Sequence, residues 1–123
     1  MIRKHADSIG HAMDGLMWAL RTQHNYRAHL FLVTLSILGG ILFQITYTEW
    51  LVILSVTLLG LIIETINTSI EKLGDAISKD FHPDIKIAKD VSAAAMLIYA
   101  GGAAIAASMI FLPRILSLLT SIN

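Results

Sequence analysis

The sequence predicts an all-α integral membrane protein, with an N-terminal amphipathic surface helix and three transmembrane helices in a single domain over residues 1–123. Three observations carry this expectation. Hydrophobic residues make up 55% of the chain and charged residues only 15%, with a mean hydropathy of +0.69. A soluble domain of this length has too little polar surface to cover that much apolar side chain. Three apolar runs each approach the ~20 residues that cross ~30 Å of hydrocarbon. Finally, Arg3, Lys4, Arg21, Arg27, Lys72, Lys79, Lys86 and Lys89 all lie before the first run or between the second and third, leaving only Arg114 in the tail. The positive-inside rule then places the N-terminus and the 72–90 segment on the cytoplasmic side.

The surface helix is expected over about residues 8–24. Ile9, Ala12, Met13, Leu16, Met17 and Leu20 recur at spacings of three and four, with His11, Asp14 and Arg21 off that stripe. Such a pattern suits a helix lying in the membrane interface or packed on the bundle. Asp7 and Ser8 are the candidate N-caps.

The first span covers about residues 29–47, with Gly39 and Gly40 as sites of close helix approach. The ~28 residues ahead of it argue against a cleaved signal. The second span covers about 50–70, and Trp50 to Ile63 carries no charge. The third covers about 91–112 and is rich in small residues, namely Gly101, Gly102, Ala103, Ala104, Ala106 and Ala107. These predict tight helix packing there. Tyr47, Trp50 and Tyr99 include the expected interfacial anchors, a structural rather than catalytic role. Between spans two and three, Ser78 to Asp84 carries turn signals, and Pro83 biases His82 away from helix. A helix restarts at Ile85 and leads to Lys89 and Asp90.

Several function classes drop out. With no cysteine there is neither disulfide nor thiolate metal site. No basic patch interleaved with aromatics points to nucleic acid, and no Gly-rich phosphate loop or protein-kinase signature occurs.

The chemistry concentrates at the end of the second span. Glu64, Asn67, Glu71 and Asp75 follow at offsets of three, four and four. At ~100° per residue they occupy an arc of about 80°, one stripe of one helix. An ionisable group in hydrocarbon costs roughly 2.5–3.5 kcal/mol, so Glu64 reads as functional. Burial among Ile62, Ile63 and Ile66 raises a carboxyl's proton affinity, which suits a base that removes a proton from an alcohol. Glu71 and Asp75, nearer water, are hard oxygen ligands suited to Mg²⁺ together with phosphates and waters. Lys89 is placed to meet phosphate oxygens. The arrangement fits phosphoryl transfer to a lipid hydroxyl. Taken singly, Glu71, Lys72, Asp75 and Lys79 also make an ordinary solvated helix face, Lys89–Asp90 a helix-entry pair, and His82 a loop residue. The competing reading is a small proton-coupled transport or channel subunit that uses the Glu64 stripe as a relay.

The string Glu64-Thr-Ile-Asn67-Thr-Ser-Ile-Glu71-Lys-Leu-Gly-Asp75, then His82, then Ala88-Lys89-Asp90-Val-Ser-Ala-Ala, resembles the prokaryotic diacylglycerol kinase family, which includes undecaprenol kinases. The resemblance covers essentially the whole chain. It implies a bacterial plasma-membrane lipid kinase, a homotrimer with active sites shared between subunits. ATP is implied as co-substrate with Mg²⁺, and a lipid alcohol within the bilayer as acceptor. Glu64 matches the catalytic base and Asn67 the amide beside it, with Glu64 and Ala93 contacting the lipid substrate. Glu71 matches a magnesium-binding carboxylate that also serves the nucleotide. Asp75, Lys89, Asp90, Asp80, Phe81 and His82 match the ATP site, as do Lys4 and His11 where members carry arginine and tyrosine. Gln23 stands where the family has a second metal carboxylate; its amide oxygen can coordinate the ion but brings no charge, which leaves open a family member that has lost activity.

Overall fold

The computed structural model describes the backbone of residues 2–122 and the side chains of residue 5 and residues 7–121. Four helices follow in chain order: α1 (Ile2–Thr22), α2 (His24–Leu42), α3 (Tyr47–Ile77) and α4 (Pro83–Ile122). The last three are long and apolar enough to cross a membrane.

Helix α1 starts earlier than expected. Asp7 and Ser8 therefore lie inside the helix and cap nothing. Its apolar stripe is largely uncovered by the rest of the chain, with Ile9 65% and Met13 51% exposed. The C-terminal end of α1 is held to α3 by the Lys72 ammonium, 5.7 Å from the centre of the Trp18 ring, a cation–π contact.

A single extended residue, Gln23, separates α1 from α2. The first span thus begins and ends about five residues before its expected bounds, with Tyr47 already in α3. A Schellman turn closes α2. The Ile45 N–H donates to the Gly40 carbonyl (3.1 Å) and the Gln44 N–H to that of Ile41 (3.3 Å), with Gln44 in the left-handed region at φ 49°. The next helix opens almost at once. Thr46 and Glu49 form a reciprocal capping box at the start of α3, which satisfies two otherwise orphaned N–H groups.

Helices α3 and α4 form the main packed pair, with α2 against α3. Close approach occurs at glycines of α3 rather than at the Gly101–Gly102 pair. A Cβ on Gly60 would fall 2.2 Å from the Tyr99 hydroxyl, and one on Gly74 would fall 2.9 Å from Lys89 Cε. Around Gly101 and Gly102 nothing in the chain lies within 4 Å, so the tight packing expected there does not occur within one chain. The Tyr99 ring packs inward, against Gly60 and beside His29. At α2, Gly39 receives Phe111 and Gly40 receives Trp50.

Helix α4 starts at Pro83, a position where the missing N–H costs nothing. It also runs unbroken through Pro113. Next to it, the Arg114 guanidinium reaches the Ile110 carbonyl and the Glu49 carboxylate, tying the start of α3 to α4.

Candidate functional site

All four residues of the polar stripe lie on α3. Its buried members make an unusual group for an apolar helix: Glu64, Asn67 and Thr68 are almost wholly shielded. The Glu64 carboxyl is turned into the bundle, 1% exposed, and its Oε2 has no hydrogen-bond partner. One turn on, Thr68 Oγ1 is also buried and unpartnered. Orphaned buried polar atoms are costly and rare in a folded chain. Glu64 and Thr68 lie four residues apart on α3, so the two orphaned atoms share one face of that helix.

Asn67 is oriented from α4. Ser92 donates its hydroxyl to Asn67 Oδ1 at 2.7 Å, and this directs the amide nitrogen to Glu71 Oε1 at 3.2 Å. Asn67 and Glu71 then line a cavity of about 240 Å³ with Asn25, His29 and Ala93. Glu64 does not line that cavity; it sits one helical turn deeper, beside the turn that Tyr26 engages by a hydrogen bond to Thr65. Tyr26 is itself fully buried.

Toward the C-terminal end of α3, Lys89 Nζ meets Asp75 Oδ1 at 2.5 Å. The bare Cα of Gly74 leaves the space through which the Lys89 stem passes. Its hydrogen bond and charge hold the Asp75 carboxyl below the usual aspartate range. Asp90 is paired with Lys86 on its own helix rather than with the stripe.

The remaining expected residues stand apart from the cavity. His82 lies 3.9 Å from Asp84, both exposed. Phe81 is 78% exposed, and the Asp80 N–H donates to the Ser78 hydroxyl in the turn between α3 and α4. His11 is exposed on α1. Gln23 donates its amide to Thr22 and does not line the cavity. The Lys4 side chain lies outside the described residues.

Among the described residues no three His, Asp or Glu side chains converge as a metal cage. The donor set does suit a magnesium ion carried in by phosphates, which needs only one or two protein carboxylates. Glu71 offers a carboxylate at the cavity wall for that purpose.

Sequence reasoning did not single out Tyr26, His29, Thr68 or Ser92. Each acts through a contact with another helix or through burial, and carries no local signature.

The family model described as prokaryotic diacylglycerol kinase matches residues 10–111. The chain is 32% identical over 108 residues to an undecaprenol kinase of Bacillus subtilis, covering 88% of each protein. It is 33% identical over 113 residues to a diacylglycerol kinase of Synechocystis, covering 91% of this chain and 65% of that one. To a diacylglycerol kinase of Pseudomonas aeruginosa it is 29% identical over 97 residues, 79% of each.

Proposed function

The chain belongs to the prokaryotic diacylglycerol kinase family and is a multi-pass membrane lipid kinase, and from that premise we propose that it transfers the γ-phosphate of ATP, as its magnesium complex, to the primary hydroxyl of diacylglycerol or undecaprenol. The reaction takes place at the cytoplasmic face of the bacterial plasma membrane, within one kinase domain over residues 1–123. The single observation that carries this reading is the buried Glu64 carboxyl, whose Oε2 has no partner, one turn below a cavity walled by Asn67 and Glu71.

The lipid hydroxyl enters laterally from the bilayer and hydrogen-bonds the Glu64 carboxylate. Glu64 accepts its proton as the alcohol oxygen bonds to the γ-phosphorus and the bond to the bridging oxygen of ADP breaks. The product is a lipid monophosphate. Asn67, fixed by Ser92, orients the groups around the reacting atoms. Ala93, at the cavity wall, contacts the lipid. Glu71 would hold the magnesium ion, which would supply charge neutralisation for the transferring phosphoryl group.

Asp75, Lys89, Asp90, Asp80, Phe81 and His82 face the nucleotide from the cytoplasm, with Lys4 and His11 of α1 approaching it from the surface helix. Lys89 leaves Asp75 for phosphate when ATP arrives. Helix α1 rests its uncovered Ile9 and Met13 in the interface. The chain assembles as a homotrimer with shared sites; the open surface at Gly101 and Gly102 supports helix packing between copies. Family membership displaces the transport-subunit reading.

The test is γ-³²P-ATP with detergent-solubilised protein and each lipid alcohol in turn. Label appearing in the lipid phase with either alcohol supports the reading and names the acceptor. Label released only as inorganic phosphate, or not at all, refutes it.

A further inference from the structure

Gly60, Glu64 and Thr68 follow one another at four-residue steps and so form a single ridge of α3, and all three are buried. Neighbours on such a ridge stand ~5–6 Å apart at Cβ. The second and third carry buried polar atoms that make no hydrogen bond, Glu64 Oε2 and Thr68 Oγ1. The first has no side chain, and α4 uses the space it leaves. A Cβ built on Gly60 would collide with the Tyr99 hydroxyl. A phenol oxygen therefore stands in the place of a side chain, one turn from an unpartnered carboxyl and on the same ridge.

Side-chain direction brings the two groups nearer still. Long side chains on a helix lean back toward its N-terminus and cover the turn before their own Cα. For Glu64 that is the turn holding Gly60. The carboxyl is turned into the bundle, 1% exposed, and on either side of it along α3, Gly60 and Asn67 both meet α4, at Tyr99 and Ser92. The other polar groups at this level are engaged elsewhere. Tyr26 of α2 is hydrogen-bonded to Thr65, and Asn67 is held between Ser92 and Glu71. Lys72, two turns on, lies over Trp18 of α1. His29 of α2 faces the Tyr99 ring, with 5.8 Å between centres. Glu71 is the next ionisable group along α3 itself. An ionised carboxylate away from water needs a donor, and a base must be ionised to take a proton. A phenol is a neutral group that supplies such a donor.

We infer that Tyr99 is the positioning residue of the base: its phenol O–H donates a hydrogen bond to one carboxylate oxygen of Glu64 and leaves the other directed at the alcohol. Rotation about the Glu64 side-chain bonds closes the contact with both helices in place, and Gly60 is the residue that admits the hydroxyl. The proton of the alcohol goes to the free oxygen of Glu64, while Tyr99 keeps its own. This rests on the kinase reading of Glu64 and adds to it the group that keeps the carboxyl charged and aimed.

The experiment uses the full chain in phosphatidylcholine nanodiscs and the variant Tyr99→Phe, which keeps the ring and removes only the hydroxyl. In infrared spectra at acid pH, the protonated carboxyl stretch of Glu64 is assigned by its loss in Glu64→Gln. It moves to higher frequency in Tyr99→Phe, because the carbonyl loses a donor. In γ-³²P-ATP assays the turnover of Tyr99→Phe falls roughly ten- to a hundredfold, the worth of a hydrogen bond to a charged group. The ATP KM stays within about twofold, and the acid limb of the rate profile moves up by about one pH unit. In the Glu64→Gln background the same substitution changes the residual rate by less than about twofold, since the two groups act as a unit. A shifted carboxyl band in a protein that labels no lipid upholds the Tyr99 contact and sinks the kinase reading. Labelled lipid with an unmoved band, an unmoved acid limb and near-parental turnover in Tyr99→Phe overturns the contact and leaves the kinase reading standing. A loss of turnover equal in the parent and Glu64→Gln backgrounds also overturns it, because that is the mark of packing alone.

Discussion

Ser92 on α4 donates its hydroxyl to the side-chain oxygen of Asn67 on α3 across 2.7 Å, in a region closed to water. That bond settles which way the Asn67 amide faces, and so turns its nitrogen toward Glu71. A short-range contact between two membrane helices thereby sets the polar wall of the candidate site. Replacing Ser92 with Ala leaves the Asn67 oxygen buried without a donor, at a cost of about 1–3 kcal/mol. The expected result is a lower thermal midpoint together with slower phosphate transfer. Ser92→Thr, which keeps the hydroxyl, restores both if the hydrogen bond is the cause.

Gly60 is where α3 makes room for the Tyr99 hydroxyl. A methyl group added there meets a stiff aromatic side chain at 2.2 Å, so one of the two helices must move. Gly60→Ala is expected to destabilise the fold by about 1–3 kcal/mol. Shortening the partner in the double variant Gly60→Ala/Tyr99→Leu recovers part of that loss. A single variant as stable as the parent in a denaturant titration contradicts the close approach.

The three spans and the order of the elements were legible because uninterrupted apolar runs leave few alternatives to membrane helices. The α3 stripe was legible for the opposite reason, since Glu64 is conspicuous against so apolar a background. What stayed hidden is tertiary. The spacing of Gly101, Gly102 and the alanines announces a small-residue face but not what covers it; the intrachain close approaches fall instead at Gly60 and Gly74. Tyr26 and Ser92 find their partners 39 and 25 residues away, beyond any local pattern. The candidate caps Asp7 and Ser8 failed because the helix already begins at Ile2. The Schellman turn at Gln44 was missed because glutamine is not the residue that usually occupies a left-handed position.

Glu49, in the first turn of α3, and Arg114 of α4 give a pH-dependent contribution. Two guanidinium hydrogen bonds, both 2.8 Å, reach the carboxylate. With the Thr46 N–H and hydroxyl they lower the Glu49 pKa from 4.5 to about 2. Because the folded value lies below the unfolded one, the stabilisation is fully present above about pH 4.5 and is lost as the pH falls through about 2. The stability gap between the parent and Glu49→Gln should therefore be widest near neutrality and close steadily below pH 4.5. A gap that stays constant down to about pH 2.5 rules the pair out.

Glu71 stands at the cavity wall as the carboxylate suited to magnesium. Glu71→Ala is expected to raise the magnesium requirement of ATP use, with activity partly regained at high magnesium concentration. The measurement is initial rate against free magnesium at fixed ATP. Parallel saturation curves for parent and variant, differing only in height, contradict a role at the metal.

The central claim is that the buried Glu64 carboxyl takes the proton of the lipid alcohol, and Glu64→Gln tests it most directly because the side chain keeps its shape and loses its basicity. Turnover of γ-³²P-ATP into labelled lipid should fall by roughly 10²-fold or more, with the assembly size and thermal midpoint of the parent retained. Labelled lipid forming at close to the parental rate contradicts the claim.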